Sequence, residues 1–500
     1  TPAAIAKNID TFSLDLDIYS VEGGCPMNEA QASLFADIVM NDNFDFYQIP
    51  IYMYIPKSYG LDKVLDALDK TLRAHPVLGM HVSNRYEGSD KGLYGRIQDN
   101  INLFKELKDS GNSSHDTDEL LDILRNKGWN IKSIYSMIRI FLKLLKGQYP
   151  YMIKGSGPPI SVESDFNEDN LKEFIRGSLD LYNYLSAFRI FELDDSYLLL
   201  AKFHHLIFDA MSSNVFKHDI QVFLDGGIFD VDDSFLKMAA FNQKVKNTDK
   251  FIEAGNFFDS MLQDIGDVGE FIGDSQSEGF DMNTYGLEID SVALKSFLDE
   301  EAISENEFFV SVFAYALSRF GNGNKVLFSL INSGRGMFND YDAIGLYANV
   351  VPLLVDCKDQ SISSFMESSS NRIYGSIKYN YYPLMQLYQK YPLDSKIIFQ
   401  YVPDWVSYDG FNDDKNESLH SDLVDGLIDD LVGSVDDLIA KFIVQIFQKG
   451  ESYSIMFVYS NEYSEDLIRD FHDTLSSIIS HIVHLSDKSV TLSSILGDTN

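Results

Sequence analysis

Cysteine is almost missing from this chain: 500 residues hold two, Cys25 and Cys357. They stand far apart and no CxxC pattern exists, which argues against a disulfide scaffold or a zinc site, predicts no bound metal and fits a reducing cytoplasm. Basic residues are scarce as well. Forty Lys and Arg face 76 Asp and Glu, a net charge of -36, so nucleic acid and anionic membrane are excluded as partners because their phosphates are repelled. No apolar run is long enough to span a bilayer, and the opening TPAAIAKNIDTFSLDLD carries no signal peptide. An initiating Met is also lacking, and we expect a piece of a longer polypeptide. Missing too are a GxSxG elbow, a GxxxxGK[ST] loop, an HExxH pair and a dinucleotide GxGxxG, so the common hydrolase, phosphate-loop, metalloprotease and Rossmann chemistries have no motif here.

Apolar residues are plentiful, at 45% with 13% aromatic. The chain can therefore bury large cores, and its length exceeds what one core supports, so two lobes are expected. Residues 47–57, YQIPIYMYIPK, have strand composition, and Leu61, Val64, Leu65, Leu68 and Leu72 follow at helical spacing. LSAFRIFELDDSYLLLAKFHH predicts a hairpin turning at Asp194 and Asp195. Residues 236–263 predict a helix. Ser304 and Glu307 form a capping box ahead of a wide apolar face, and Gly321 stands where a helix C-terminus wants glycine. Ser464 caps a last helix carrying Leu467, Ile468, Phe471, Leu475, Ile478 and Ile479. Two stretches, 103–160 and 409–437, have the composition of surface insertions. Strands and helices mix without a regular βαβ rhythm.

The stretch AKFHHLIFDAMSSNVF, 201–216, places His204 and His205 at the junction of a buried strand and a helix, with Asp209 four residues after His205. Active sites collect at such junctions. An imidazole there can accept a proton near neutral pH. His204 is expected to be structural, since successive strand residues point to opposite faces. Asp209 has two readings: it orients the imidazole, or it fixes the loop by pairing with an arginine.

With HHLIFDA in the middle, CPMNEAQASLF (25–35) ahead of it and INSGRGMFNDYDAIGLYANVVPLLV (331–355) behind it, the chain resembles the condensation domains of nonribosomal peptide synthetases. That family carries SxAQxRLW, HHxxxDG, and SGR followed by IGxFxNTLPLR. LRAHPVLGMHV (72–82) resembles its RHPVLRTRF segment, YNYYPLMQLYQKY (379–391) its HxxxPLxxL helix, and SKIIFQYV the strand after it. The matches run in order from about residue 24 to 496. Departures are Ala210 for the motif's Gly, Ser33 for Arg, Asn28 for Ser and Phe35 for the other aromatic.

The resemblance implies an α/β fold of two chloramphenicol-acetyltransferase-like lobes in a V-shaped pseudo-dimer, residues 1–222 carrying HHxxxD and 223–500 carrying SGR and IGLYANVVPL. It implies a central tunnel in which His205 assists amide formation between a donor thioester and an acceptor aminoacyl amine. Both arrive on phosphopantetheine arms of donor and acceptor peptidyl carrier proteins, with neighbouring synthetase domains as further partners and no tightly bound cofactor. His204, Asp209, Ala210 and Arg335 are its expected structural site residues. Asn349 binds either substrate or a neighbouring strand. Rival readings are an ester-forming acyltransferase of the same motif, an epimerisation domain, whose motif usually continues VSWR where this chain has MSSNVF, and a degenerate carrier-binding module that Ala210 and Ser33 leave open. Heterocyclisation domains replace both histidines by aspartates. The basic stretch within 125–154, including Lys143 and Lys146, reads either as a helix with a solvated basic face or as a dock for acidic carrier proteins.

Arg335 is the expected partner of Asp209, with Arg189 second. Asp209→Asn is expected to cost about 3–5 kcal/mol, the price of a buried guanidinium left unpaired. Urea denaturation checks this, and a loss under about 1 kcal/mol contradicts it.

Overall fold

The computed structural model describes residues 19–20, 23–41, 47–86, 143, 148–164, 166–228, 230–263, 265–277, 279–321, 323–337, 340–393, 396–404 and 440–495. They form two compact units. The first runs to Lys244 and also claims Ala343–Leu346; the second takes Val245–Asp342 and the chain from Tyr347 onward.

In the first unit, β1 (Cys25–Pro26), α1 (Glu29–Asn41), β2 (Gln48–Pro56), α2 (Leu61–Ala74), β3 (Met80–Tyr86) and β4 (Pro150–Lys154) lead to β5 (Ile160–Glu163) and α3 (Glu168–Arg176). The hairpin β6 (Ser186–Glu192) and β7 (Ser196–His204) follows, then α4 (Ala210–Leu224) and α5 (Ser234–Val245). One sheet has the order β2-β7-β6-β5, the other β1-β4-β3. β7 is an interior strand, antiparallel to both neighbours. All its residues but Ser196 are buried, which is why its sequence is a continuous apolar run rather than an alternation. The hairpin turns at Asp194 and Asp195 as expected.

The second unit holds α6 (Asp249–Leu262), β8 (Phe280–Leu287), α7 (Ser291–Glu301), α8 (Glu305–Phe320), β9 (Lys325–Asn332) and β10 (Asn349–Asp356). It continues with α9 (Ile362–Lys378), α10 (Leu384–Lys390), β11 (Ile397–Val402), β12 (Phe442–Lys449), β13 (Ser452–Ser460) and α11 (Glu465–Val483). Its sheet has the order β10-β9-β11-β12-β13-β8. Ser304 caps α8 through the expected box with Glu307. Every residue from Phe308 to Leu317 is buried, because α8 is covered on all sides by the sheet, α9 and α11. Ser464 caps α11 by accepting from the Leu467 N–H.

Several sequence expectations are corrected. Residues 236–263 form two helices, α5 and α6, because the Thr248 hydroxyl takes the Val245 carbonyl at 2.7 Å and ends the first. Gly321 does stop α8, but in extended conformation at φ -90°. A Cβ there would sit 3.3 Å from the Glu270 carbonyl, so close approach rather than a left-handed turn favours glycine. The supposed insertion 103–160 ends in β4, the middle strand of its sheet. The division between units falls after Lys244, not after residue 222, which lies inside α4. The stretch 409–437 and most of the basic stretch 125–154 lie outside the described residues. Among those described, no helix is long and apolar enough to cross a membrane.

One buried cluster ties this first unit together. His75, directly after α2, places Nε2 2.6 Å from Asp219 of α4 and Nδ1 3.3 Å from Asp232. The Asp232 N–H in turn donates to the Ala74 carbonyl at 2.7 Å. Burial pulls the His75 pKa down, but hydrogen bonds and charge from both carboxylates outweigh it, and the net direction is up from 6.5. Burial likewise pushes Asp232 up, yet bonds from His75 and Ser234 hold it below 3.8. The His75 contribution is therefore complete below pH 6.5 and lost as pH rises through the raised value. The Asp232 contribution is present above 3.8 and lost as pH falls through the lowered value. His75→Ala is expected to cost about 3 kcal/mol near pH 6. In urea denaturation across pH, the gap between the parent and His75→Gln should narrow above neutrality; a gap constant from mildly acidic to alkaline pH contradicts the cluster's charge.

Candidate active site

Strand β7 delivers the two histidines. It ends at His204, whose backbone N–H donates to the Leu185 carbonyl at 2.8 Å. His205–Ile207 form a single 3-10 turn, and Asp209 starts α4 as its N-cap. The Asp209 carboxylate accepts from the Ser212 N–H at 3.0 Å and from the Ser212 hydroxyl at 2.8 Å. A helix beginning this close to the strand end leaves His205 on a turn braced from both sides.

The two rings differ in every respect. His204 is fully buried, and its Nδ1 accepts the Leu206 N–H at 3.1 Å. Burial pushes its pKa down to about 3, and the charge of neighbouring His205 adds to the effect. It stays neutral at working pH and cannot relay protons. His205 is half-buried. Its Nδ1 lies 2.6 Å from the Phe208 carbonyl. A carbonyl only accepts, so Nδ1 carries a hydrogen, and in the neutral ring Nε2 presents a lone pair.

Ala210 is the first residue of α4. Among the described residues only Ala302 is a non-glycine with positive φ, so Ala210 replaces the family's glycine without backbone strain. Arg189, the second candidate for Asp209, is engaged elsewhere: its Nε donates to Ser161 Oγ at 3.2 Å and its Nη1 to the Asn170 carbonyl at 2.9 Å. Ser33 is half-buried on α1.

Residues given no role from sequence complete this region. Ser212 Oγ donates to Asp209 and accepts the Gly345 N–H at 3.1 Å, fastening residues 343–346 to the start of α4. Asn28 Nδ2 donates to the Leu346 carbonyl at 3.2 Å, fastening the same segment to α1. Gln31 Nε2 donates to the Leu206 carbonyl at 2.6 Å. Asn28 and Gln31 lie in the CPMNEAQASLF segment, and that resemblance was the only signal for them.

Arg335 and Asn349 belong to the second unit. Arg335 is fully buried. Its Nη1 donates to the Asp340 carbonyl at 3.0 Å, and its guanidinium stacks 4.5 Å from the Tyr347 ring centroid. Gly334 before it has φ +67°, and a Cβ there would meet the Tyr347 carbonyl at 2.0 Å, so no other residue fits. Asn349 donates to the Asn380 carbonyl at 2.7 Å and accepts from the Val350 N–H at 2.9 Å. Neither partner lies on a neighbouring strand: Asn380 follows α9, and Val350 is the next residue of β10 itself. Since Asp209 and Arg335 fall in different units, their pairing rests on the sequence argument and its mutational test. Among the described residues no group of three or more His, Cys, Asp or Glu is placed to hold a metal ion.

No curated protein matches this chain in sequence. Solved structures do match its fold. The epimerization domain from the third module of tyrocidine synthetase B matches at TM-score 0.62 and 13% identity, over 93% of this chain and 99% of that one. The condensation domain from the Monacolin K polyketide synthase MokA matches at TM-score 0.62 and 11% identity, over 95% and 100%. The X-domain from teicoplanin biosynthesis matches at TM-score 0.63 and 10% identity, over 96% and 99%. Identities this low show the fold alone: a mixed α/β fold shared with condensation-domain structures. The family model named Condensation domain matches residues 160–500, which takes in the HHLIFDA turn, the SGR segment and α11, and the chain therefore belongs to the condensation-domain family.

Proposed function

We propose that this protein forms amide bonds, joining a donor acyl or aminoacyl thioester to an acceptor aminoacyl amine. Both substrates are carried on phosphopantetheine arms by carrier proteins, and neighbouring synthetase domains supply them. The carrying observation is the His205 ring, whose Nδ1–H is held on the Phe208 carbonyl so that Nε2 keeps a lone pair. The amine nitrogen attacks the thioester carbonyl carbon, the C–S bond breaks, and the donor arm leaves as a thiolate. His205 Nε2 takes the proton released by the amine and returns it to that sulfur, so the step consumes no other reagent. A thioester is already activated and a neutral amine is already nucleophilic, so holding the two in contact supplies much of the rate. Membership of the condensation-domain family supports the reaction class.

The test incubates the protein with separately loaded donor and acceptor carrier proteins and weighs the intact carriers. Gain of the donor acyl mass on the acceptor carrier is expected. Exchange of an α-deuterium label for solvent hydrogen on a single loaded carrier, without transfer, would instead favour epimerisation, and carrier binding without either reaction a recruiting module. His205→Ala is expected to lower transfer at least about 100-fold. Retention of most of the rate would remove His205 from the mechanism.

His204→Ala is expected to act on the fold instead. It should cost about 2–4 kcal/mol while the rate of the folded fraction stays within tenfold. Because the folded value lies near 3 against 6.5 unfolded, the neutral ring's contribution is complete above pH 6.5 and lost as pH falls toward 3. The parent protein should therefore lose more stability on acidification over that range than His204→Ala does, which denaturation at stepped pH measures.

A further inference from the structure

The turn that carries His205 is weakly held by its own backbone. Its internal hydrogen bond, from the Phe208 N–H to the His205 carbonyl, is 3.4 Å long. The other anchors come from outside the turn. The His205 N–H donates to the Tyr47 carbonyl at 2.8 Å, and the Leu206 N–H donates to His204 at 3.1 Å. On the far side of Leu206, the carbonyl accepts from Gln31 Nε2 at 2.6 Å, and Gln31 is fully buried.

That amide cannot turn around. Gln31 Oε1 accepts the Asn28 N–H at 3.0 Å while Asn28 Oδ1 accepts the Gln31 N–H at 2.8 Å. Both side-chain oxygens are committed to backbone N–H groups at the start of α1, so both NH2 groups face outward, onto the carbonyls of Leu206 and Leu346. The first turn of α1 is a rigid two-armed bracket. Its Gln31 arm grips the chain between His205 and Phe208, the residue whose carbonyl receives the His205 Nδ1–H.

We propose that Gln31 is a positioning residue for His205. By fixing the Leu206 carbonyl it sets the path of the turn, keeps the Phe208 carbonyl under Nδ1, and so selects, for the neutral imidazole, the tautomer whose lone pair is on Nε2. Gln31 is fully buried and acts through His205, and its bearing on catalysis rests on the amide-forming reading above.

The test needs no knowledge of the substrate. In 15N-histidine-labelled protein, ring nitrogen shifts read which His205 nitrogen carries the hydrogen. The parent is expected to show Nδ1–H throughout the neutral range. Gln31→Met keeps length and burial but removes the donor, and should move His205 to the mixed tautomers of a free imidazole. Ile175→Ala, which opens a cavity under α3, serves as a control for lost stability and should leave the His205 signals in place. Should Gln31→Met fail to fold, Gln31→Glu read in mildly alkaline buffer keeps the acceptor for Asn28 and still lacks the donor. Unchanged tautomers in the Gln31 variant, or an equal change in the control, would overturn the proposal. In the carrier assay, Gln31→Met should lower kcat at least about tenfold with KM for the acceptor carrier within about threefold. A parent protein that transfers nothing would refute the amide-forming reading and leave the tautomer comparison intact.

Discussion

A buried strand that ends in polar residues must hand every N–H, carbonyl and ring nitrogen to a partner, because each one left over costs about 1–3 kcal/mol. The end of β7 meets that constraint with one exception, His204 Nε2, which is buried without a hydrogen-bond partner among the described residues. Within six residues the chain passes from a fully buried imidazole to a half-buried one and then to a buried aspartate. The partners come from Tyr47, Leu185, Gln31, Ser212 and the chain's own Phe208 carbonyl. A turn satisfied from so many directions has little freedom, and the ring it carries inherits that rigidity. Preorganisation of this kind is what a base needs to take a proton from a bound amine.

Burial also decides what each histidine can do. His204 has no carboxylate beside it, so desolvation wins and the ring stays neutral. His75 is nearly as buried but sits between Asp219 and Asp232, and the same desolvation is outweighed. One serves as a neutral prop for the turn that carries His205, the other as a clasp between the end of α2, α4 and the start of α5. Both lie in the first unit, and their opposite pH responses give it a window of stability with acid and alkaline edges.

In the second unit the same logic works through shape. Gly334 is required because its neighbour Tyr347 comes so close, and that proximity lets the Tyr347 ring cover the Arg335 guanidinium. The SGR and IGLYANVVPL segments, twelve positions apart at Arg335 and Tyr347, are thus one structural feature. Asn349 continues it by joining β10 to the end of α9 through the Asn380 carbonyl.

Elements with strong local signals were legible in the sequence. The strand at 48–56, the hairpin around Asp194, the Ser304 and Ser464 caps and the His204–His205 junction follow from alternation, turn chemistry and capping, which act over a few residues. His205 and Asp209 could be picked out because a polar pair interrupts an apolar run. What tertiary structure decided is where the long-range partners lie. Nothing local joins Gln31 to Leu206, Ser212 to Gly345 or His75 to Asp219, since those contacts exist only after helices from distant segments have packed. The placement of Ala343–Leu346 with the first unit was hidden for the same reason, whereas the break between α5 and α6 rests on the local bond from the Thr248 hydroxyl to the Val245 carbonyl. Local sequence determines which groups are polar and where elements begin, while packing determines which polar groups must be buried, and burial is what forces each of them onto a specific partner.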